Sequence, residues 1–284
     1  MPQRVLVPQG RRAEGGALDA PEAVVAAARH VAAVAGIAAA VIGATMAAVG
    51  ASTAARAGVQ TGGTGTITGH VRLTGPAPAN PVVRMGMDPA CSRAWGDTRP
   101  THDFVVRAAD GGLANVFVEV RGPWPGAPAP AATRVVLDQQ GCMFRPRVLA
   151  LQRGQVLEVR NGDPTLHNVH ALSTKGNTFN VSQVVGRPPF TVVMTHEEKM
   201  LRVTCDVHHW MNVYVAVVDH PYFAVTGTSG AFEIRDVPTG RRVVQVWHER
   251  YGPLTATMDV PPGGSVTAEF AYTGSEKAAA PPQP

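Results

Sequence analysis

The chain has 284 residues, 45% hydrophobic and 16% charged, with 30 Gly, 24 Pro and a formal net charge of +4. That length allows one large or two small domains, and the thin spread of Arg, with Lys only at 175, 199 and 277 and no block of like charges, argues against a nucleic-acid groove. Val, Thr, Gly and Pro dominate from residue 64 onward, which excludes a helical bundle or coiled coil and favours short strands joined by turns.

The first segment reads as an address. Val31–Val49 is a 19-residue uncharged run, long enough to cross a hydrocarbon core of about 30 Å as one apolar helix. Arg4, Arg11, Arg12 and Arg29 precede it, and only Arg56 follows before Arg72. That asymmetry keeps the N-terminus in the cytoplasm and sends the remainder across. Ala55-Arg56-Ala57 offers a small-residue cleavage site. Residues 1–57 are therefore expected to be a signal peptide or, if uncleaved, a signal anchor. The protein is then periplasmic or extracellular, touching a membrane only through that anchor.

Residues 58–65 read as a flexible linker. Strands are expected at 66–73, 115–120, 134–137, 144–151 and 155–160. Phe190–Met194 and Met200–Cys205 predict a hairpin around His196-Glu197-Glu198-Lys199, and the nearly continuous apolar run Val213–Val218 predicts an interior strand. A second unit begins after Asp219-His220-Pro221, with turns at Thr228-Ser229-Gly230, Pro238-Thr239-Gly240 and Pro261-Pro262-Gly263-Gly264. Its strands are expected at 231–234, 243–248, 255–260 and 265–272. This spacing of strands and turns fits β-sandwiches, and the tail 276–284 has the composition of a disordered end.

Three cysteines make one pair and one left over. Cys205 lies among potential ligands in Cys205-Asp206-Val207-His208-His209-Trp210-Met211, whereas neither Cys91 nor Cys142 has a His or second Cys at ligand spacing. Cys91–Cys142 is therefore expected to be a structural disulfide, formed in an oxidising compartment, and Cys205 to be the functional thiolate. His167 follows a polar turn, and Cys205, His208 and Met211 follow later as C-x-x-H-x-x-M. A thiolate, two imidazoles and a thioether make the donor set of a trigonal copper site with a weak axial Met: sulfur favours Cu(I) and imidazole suits Cu(II). A strand ending at Cys205 and a tight loop would return His208 and Met211 to one ion. His167 would arrive from another strand end at the same pole.

With N-G-D-P-T-L-H-N-V around His167 and C-D-V-H-H-W-M at 205–211, the sequence resembles the cupredoxins, the blue copper proteins, over about residues 137–220. The loop spacing is that of the amicyanin branch, and the context of the first His is that of the plastocyanins. The resemblance implies a Greek-key sandwich holding one type 1 copper per chain, with His167, Cys205 and His208 as equatorial ligands and Met211 as axial ligand. It implies that Asn168 ties the two ligand loops together by hydrogen bonds. His208 is favoured over His209 because its spacing leaves Met211 for the axial position, and His208 would face solvent as the electron exit, with His209 and Trp210 in an exposed patch.

Residues 221–275, with T-G-T-S-G-A-F-E-I-R-D-V-P-T-G at 226–240, resemble part of a carboxypeptidase regulatory-like domain, a transthyretin-like β-sandwich. Its missing first strands are sought in the segment 66–136, at Gly65–Gly75 and Leu113–Arg121, which would make the copper domain an insertion. The whole chain is similar to the bacterial methylamine-utilisation or plastocyanin-like secreted proteins. The fold class expected is thus all-β, two sandwiches preceded by one apolar helix. No P-loop, G-x-S-x-G or dinucleotide fingerprint occurs, so no enzyme is expected. The function implied is an exported carrier of single electrons between redox proteins such as a cytochrome or a membrane oxidoreductase. The other reading is an extracytoplasmic binding or assembly module in which copper is structural, delivered or absent.

Overall fold

Alternating side chains decide which strands lie in the middle. The computed structural model describes residues 62–86 and 88–276, and over these the chain is all-β apart from one short helix. In order it forms β1 (Thr64–Leu73), α1 (Pro89–Trp95), β2 (Phe117–Val120), β3 (Val135–Gln139), β4 (Phe144–Arg145), β5 (Val148–Gln152), β6 (Val156–Asn161), β7 (His167–Ala171) and β8 (Phe179–Gln183). Then come β9 (Phe190–Val193), β10 (Glu198–Thr204), β11 (Asn212–Val218), β12 (Phe223–Val225), β13 (Ala231–Pro238), β14 (Gly240–His248), β15 (Gly252–Val260) and β16 (Ser265–Tyr272). The expected signal segment and tail lie outside the described residues. Among the described residues no helix is long and apolar enough to cross a membrane.

Two pairs of sheets result. A five-stranded sheet (β5-β11-β10-β7-β8) and a four-stranded sheet (β4-β3-β6-β9) enclose one core, which includes Leu137, Leu157, Val169, Val203 and Met194. A three-stranded sheet (β13-β1-β16) and another four-stranded sheet (β12-β2-β14-β15) enclose a second core around Ile67, Val118, Val244 and Tyr272. The second sandwich is completed across the first: β1 runs antiparallel to β13 and parallel to β16, and β2 pairs with β12 and β14. The chain therefore leaves that sandwich after β2, builds the first one, and returns at β12.

β11 shows how the sequence encodes this. Val213, Val215 and Val217 face the core of the first sandwich, while Ala216 and Val218 meet Phe117 and Trp247 in a cluster between the sandwiches. Both faces are covered, which is why the strand is apolar from Val215 to Val218. β16 instead alternates buried and exposed residues, as a sheet with one wet face requires. β1 needs Gly69, because a Cβ there would lie 2.0 Å from the Ala268 carbonyl oxygen and 2.6 Å from the Phe232 ring.

The hairpin expected from 190–194 and 200–205 does not form. β9 pairs with β6 in one sheet and β10 pairs with β11 and β7 in the other, so the chain crosses the sandwich between them. Asn177 fixes that crossing: its side-chain oxygen accepts from the N–H groups of Thr195 (3.0 Å) and His196 (3.1 Å), and its amide donates to the His196 carbonyl (2.9 Å). A polar link of this length satisfies a hairpin pattern in sequence, but here a distant side chain captures its backbone.

Candidate metal centre

One end of the first sandwich collects the chemistry. His167 opens β7, directly after the turn Asn161–Leu166, and Cys205 directly follows β10. Both are buried, with 0% and 1% exposure. The loop after Cys205 curls back at once: the Met211 N–H donates to the His208 carbonyl at 2.8 Å, and the Cys205 N–H donates to the Met211 carbonyl at 3.1 Å. This turn carries His208 inward and leaves His209 exposed.

The structure brings together His167, Cys205 and His208, whose donor atoms lie within 4.8 Å of one another. The two Nδ1 atoms are 2.9 Å apart, and the Cys205 Sγ is 3.8 Å from His208 Nδ1. Met211 is fully buried in the same core cluster as Cys205. Asn168 joins the two ligand segments. Its N–H donates to Cys205 Sγ at 3.3 Å, and its side-chain oxygen accepts the Asp206 N–H at 3.1 Å. His170 does not join the group; its ring faces Asp206 at 3.0 Å. Cys91 and Cys142 are bonded to each other, so neither sulfur is free to ligate.

Two carboxylates to which the sequence alone assigns no role complete the arrangement. Asp163 Oδ2 lies 2.9 Å from His167 Nε2, and Asp88 Oδ2 lies 3.0 Å from His208 Nε2. Each carboxylate is cradled by backbone N–H groups beside a half-cystine. Asp163 accepts from Gly141 (2.6 Å) and Cys142 (2.8 Å), both left-handed at φ +63° and +54°, a concave pair of donors suited to an anion. Asp88 caps α1, accepting from Ala90 (2.7 Å) and Cys91 (3.1 Å), and also takes the Thr165 hydroxyl at 3.1 Å. The only signals in the sequence are Asp88-Pro89, a helix start, and the Asp163 of the N-G-D-P turn.

The electrostatics follow. Burial alone would raise Asp88, but the His208 ring, the backbone donors and Thr165 outweigh it and hold its pKa down at about 2. Burial likewise opposes ionisation of Asp163, and the His167 ring with two N–H groups brings its pKa below the usual carboxylate value. Both carboxylates are therefore anionic and accept the Nε2 protons, which turns the two Nδ1 atoms towards each other, and against the pull of burial Asp163 and Cys205 hold the His167 pKa above its usual value. Burial would raise the Cys205 thiol too, but the His167 ring and the N–H groups of Asn168 and His208 hold it below its usual value.

This donor set fits a metal ion. A thiol inclined to ionise and two imidazole Nδ1 atoms converge on one buried point, and two ring nitrogens 2.9 Å apart need a cation between them, a proton in the metal-free chain or a metal ion in its place. One expectation fails: His208 is not a solvent-facing edge. It is 2% exposed, because Asp88 and α1 cover its Nε2 and the Cys91 sulfur packs 3.5 Å from it. Trp210 is only half-buried, 5.0 Å from the His208 ring centre, and donates its Nε1–H to the Cys142 carbonyl at 2.9 Å.

No protein-family model and no curated protein matches the chain. Solved structures similar to part of it include a copper-containing nitrite reductase, a purple cupredoxin and amicyanin variants. A copper-containing nitrite reductase from Thermus scotoductus matches 32% of this chain at 21% identity and a TM-score of 0.28, and only 24% of that enzyme's own length is spanned. A purple cupredoxin from Nitrosopumilus maritimus matches over 29% of this chain and 97% of its own, at 20% identity and a TM-score of 0.25. An oxidised amicyanin variant matches over 31% and 91%, at 18% identity and a TM-score of 0.27.

Proposed function

We propose that the chain is an exported, mononuclear type 1 copper protein that carries single electrons for redox protein partners. The observation that carries this reading is the convergence of Cys205 Sγ with the two Nδ1 atoms, each ring turned by a carboxylate on its far side. His167, Cys205 and His208 would hold the ion, with Met211 as a weak axial donor that tunes its potential. Bound copper supplies a one-electron couple; the protein supplies a dry, rigid set of donors. The two N–H groups on the Cys205 sulfur draw charge from it and so favour the reduced state. With the His208 edge covered, the half-buried Trp210 offers an aromatic path to the surface. A disulfide beside the site suits an oxidising compartment, in keeping with the apolar run at 31–49.

The covered edge of His208 favours a second reading, in which copper is structural or stored. Titrating the full chain with Cu(II) tests the first claim. The expected result is an intense visible thiolate-to-copper band with narrow hyperfine splitting, absent in Cys205→Ala. A colourless protein of unchanged melting temperature overturns it. A coloured protein that no small redox reagent oxidises or reduces within minutes supports the second reading instead.

A further inference from the structure

We propose that Asp88 is a positioning residue for this centre, and that the β1–β2 connection carrying it is the centre's lid. The inference rests on reading the site as a metal centre. The connection belongs by pairing to the second sandwich, since β1 and β2 both lie there, yet its helix α1 sits over the metal end of the first. Three links hold it down: the bond between Cys91 and Cys142, the Trp95 Nε1–H donated to the Gly141 carbonyl at 2.8 Å, and the Thr165 hydroxyl donated to Asp88 at 3.1 Å.

Asp88 divides its two oxygens between two tasks. Oδ1 accepts the Ala90 and Cys91 N–H groups and starts α1; Oδ2 faces His208 Nε2. An acceptor at that place requires the ring proton on Nε2, and so presents the Nδ1 lone pair to the point shared with His167 and Cys205. The disulfide ties the two carboxylate cradles together, since the Cys91 N–H holds Asp88 and the Cys142 N–H holds Asp163. Lid, tautomer and both ligand rings are thus fixed as one unit.

Asp88→Asn separates the tasks. Asn caps a helix as well as Asp does, so its oxygen keeps α1 in place. Its amide then points at Nε2 as a donor and demands a ring proton on Nδ1, where the ligand lone pair belongs. Nitrogen-15 spectra of the metal-free full chain should show the His208 proton on Nε2, slow to exchange, in the wild type and displaced from Nε2 in the variant, with equal melting temperatures. Copper affinity by chelator competition should fall about 10- to 100-fold, the range typical of such outer partners. The proposal is overturned if the variant keeps the Nε2 proton and binds copper within a factor of two of the wild type. A wild type that binds no copper defeats the metal reading alone, and the tautomer comparison then still decides what Asp88 does.

Discussion

At the scale of single residues, burial decides what each histidine can do. His248 is fully buried, stacked on Tyr251 with ring centres 4.9 Å apart, and it accepts the Arg250 N–H at 3.2 Å. Desolvation first, and then the charges of Arg147 and Arg250, push its pKa from 6.5 down to about 3. The folded state therefore refuses a proton that the unfolded chain accepts. Stability from this group is full above pH 6.5 and is lost progressively as the pH falls towards 3. His220, pushed down to about 4, acts in the same direction. Urea unfolding between pH 7 and 4 should show stability falling with acid, and His248→Phe should flatten that slope by up to about 1.4 kcal/mol per pH unit. An unchanged slope would show that His248 plays no part in the acid response. The donor cluster of the candidate site is legible in sequence because Cys, His and Met seldom gather at such short loop spacing for packing alone. Asp88 and Asp163 are not, because a carboxylate in a turn or at a helix start already has an ordinary role, and a sequence separation of 120 hides the contact of Asp88 with His208.

At the scale of elements, the strands followed from alternation and turn residues, but their partners did not. β9 and β10 are neighbours in sequence and lie in different sheets, since it is Asn177, not the local pattern, that fixes their link. β1 is the converse case: its alternation was readable, and its two partners come from the far end of the chain. Its tolerance is set by close approach. Gly69→Val would drive a side chain into the Ala268 carbonyl and the Phe232 ring, and should cost about 1–3 kcal/mol through overpacking, read as a lowered denaturation midpoint. Because this strand pairs within the second sandwich and the candidate site lies at one end of the first, copper affinity should stay the same. A variant as stable as the wild type would mean that β1 and β16 part readily.

At the scale of the whole molecule, one buried cation joins the parts. Arg147, 3% exposed, lies just before β5 in the first sandwich. It donates to Glu249 from both Nε and Nη2, the latter at 2.7 Å, and Nη2 also reaches Asn212 at 3.0 Å. Its guanidinium stacks 4.5 Å from the centre of Phe104 in the β1–β2 connection. Glu249 follows β14, so this pair spans both sandwiches. Arg147→Ala should cost about 3–5 kcal/mol by leaving a buried carboxylate alone, whereas Arg147→Met with Glu249→Leu should recover most of the loss. Calorimetry of the single variant checks the coupling: one transition moving as a whole is expected, and a split into an unmoved and a lowered transition would show the sandwiches to be independent.

The nested path of the chain has a consequence for biosynthesis. Thr68 in β1 meets Thr267 in β16 only after 199 further residues have been made. Of the described strands the first translated is thus completed last: β13 covers one edge of it, and until β16 is made the other edge stays open to other molecules. A stalled or clipped product lacking the final strands would carry the unfilled middle of a sheet, a template for clumping, so the fate of the newborn polypeptide hangs on its closing residues.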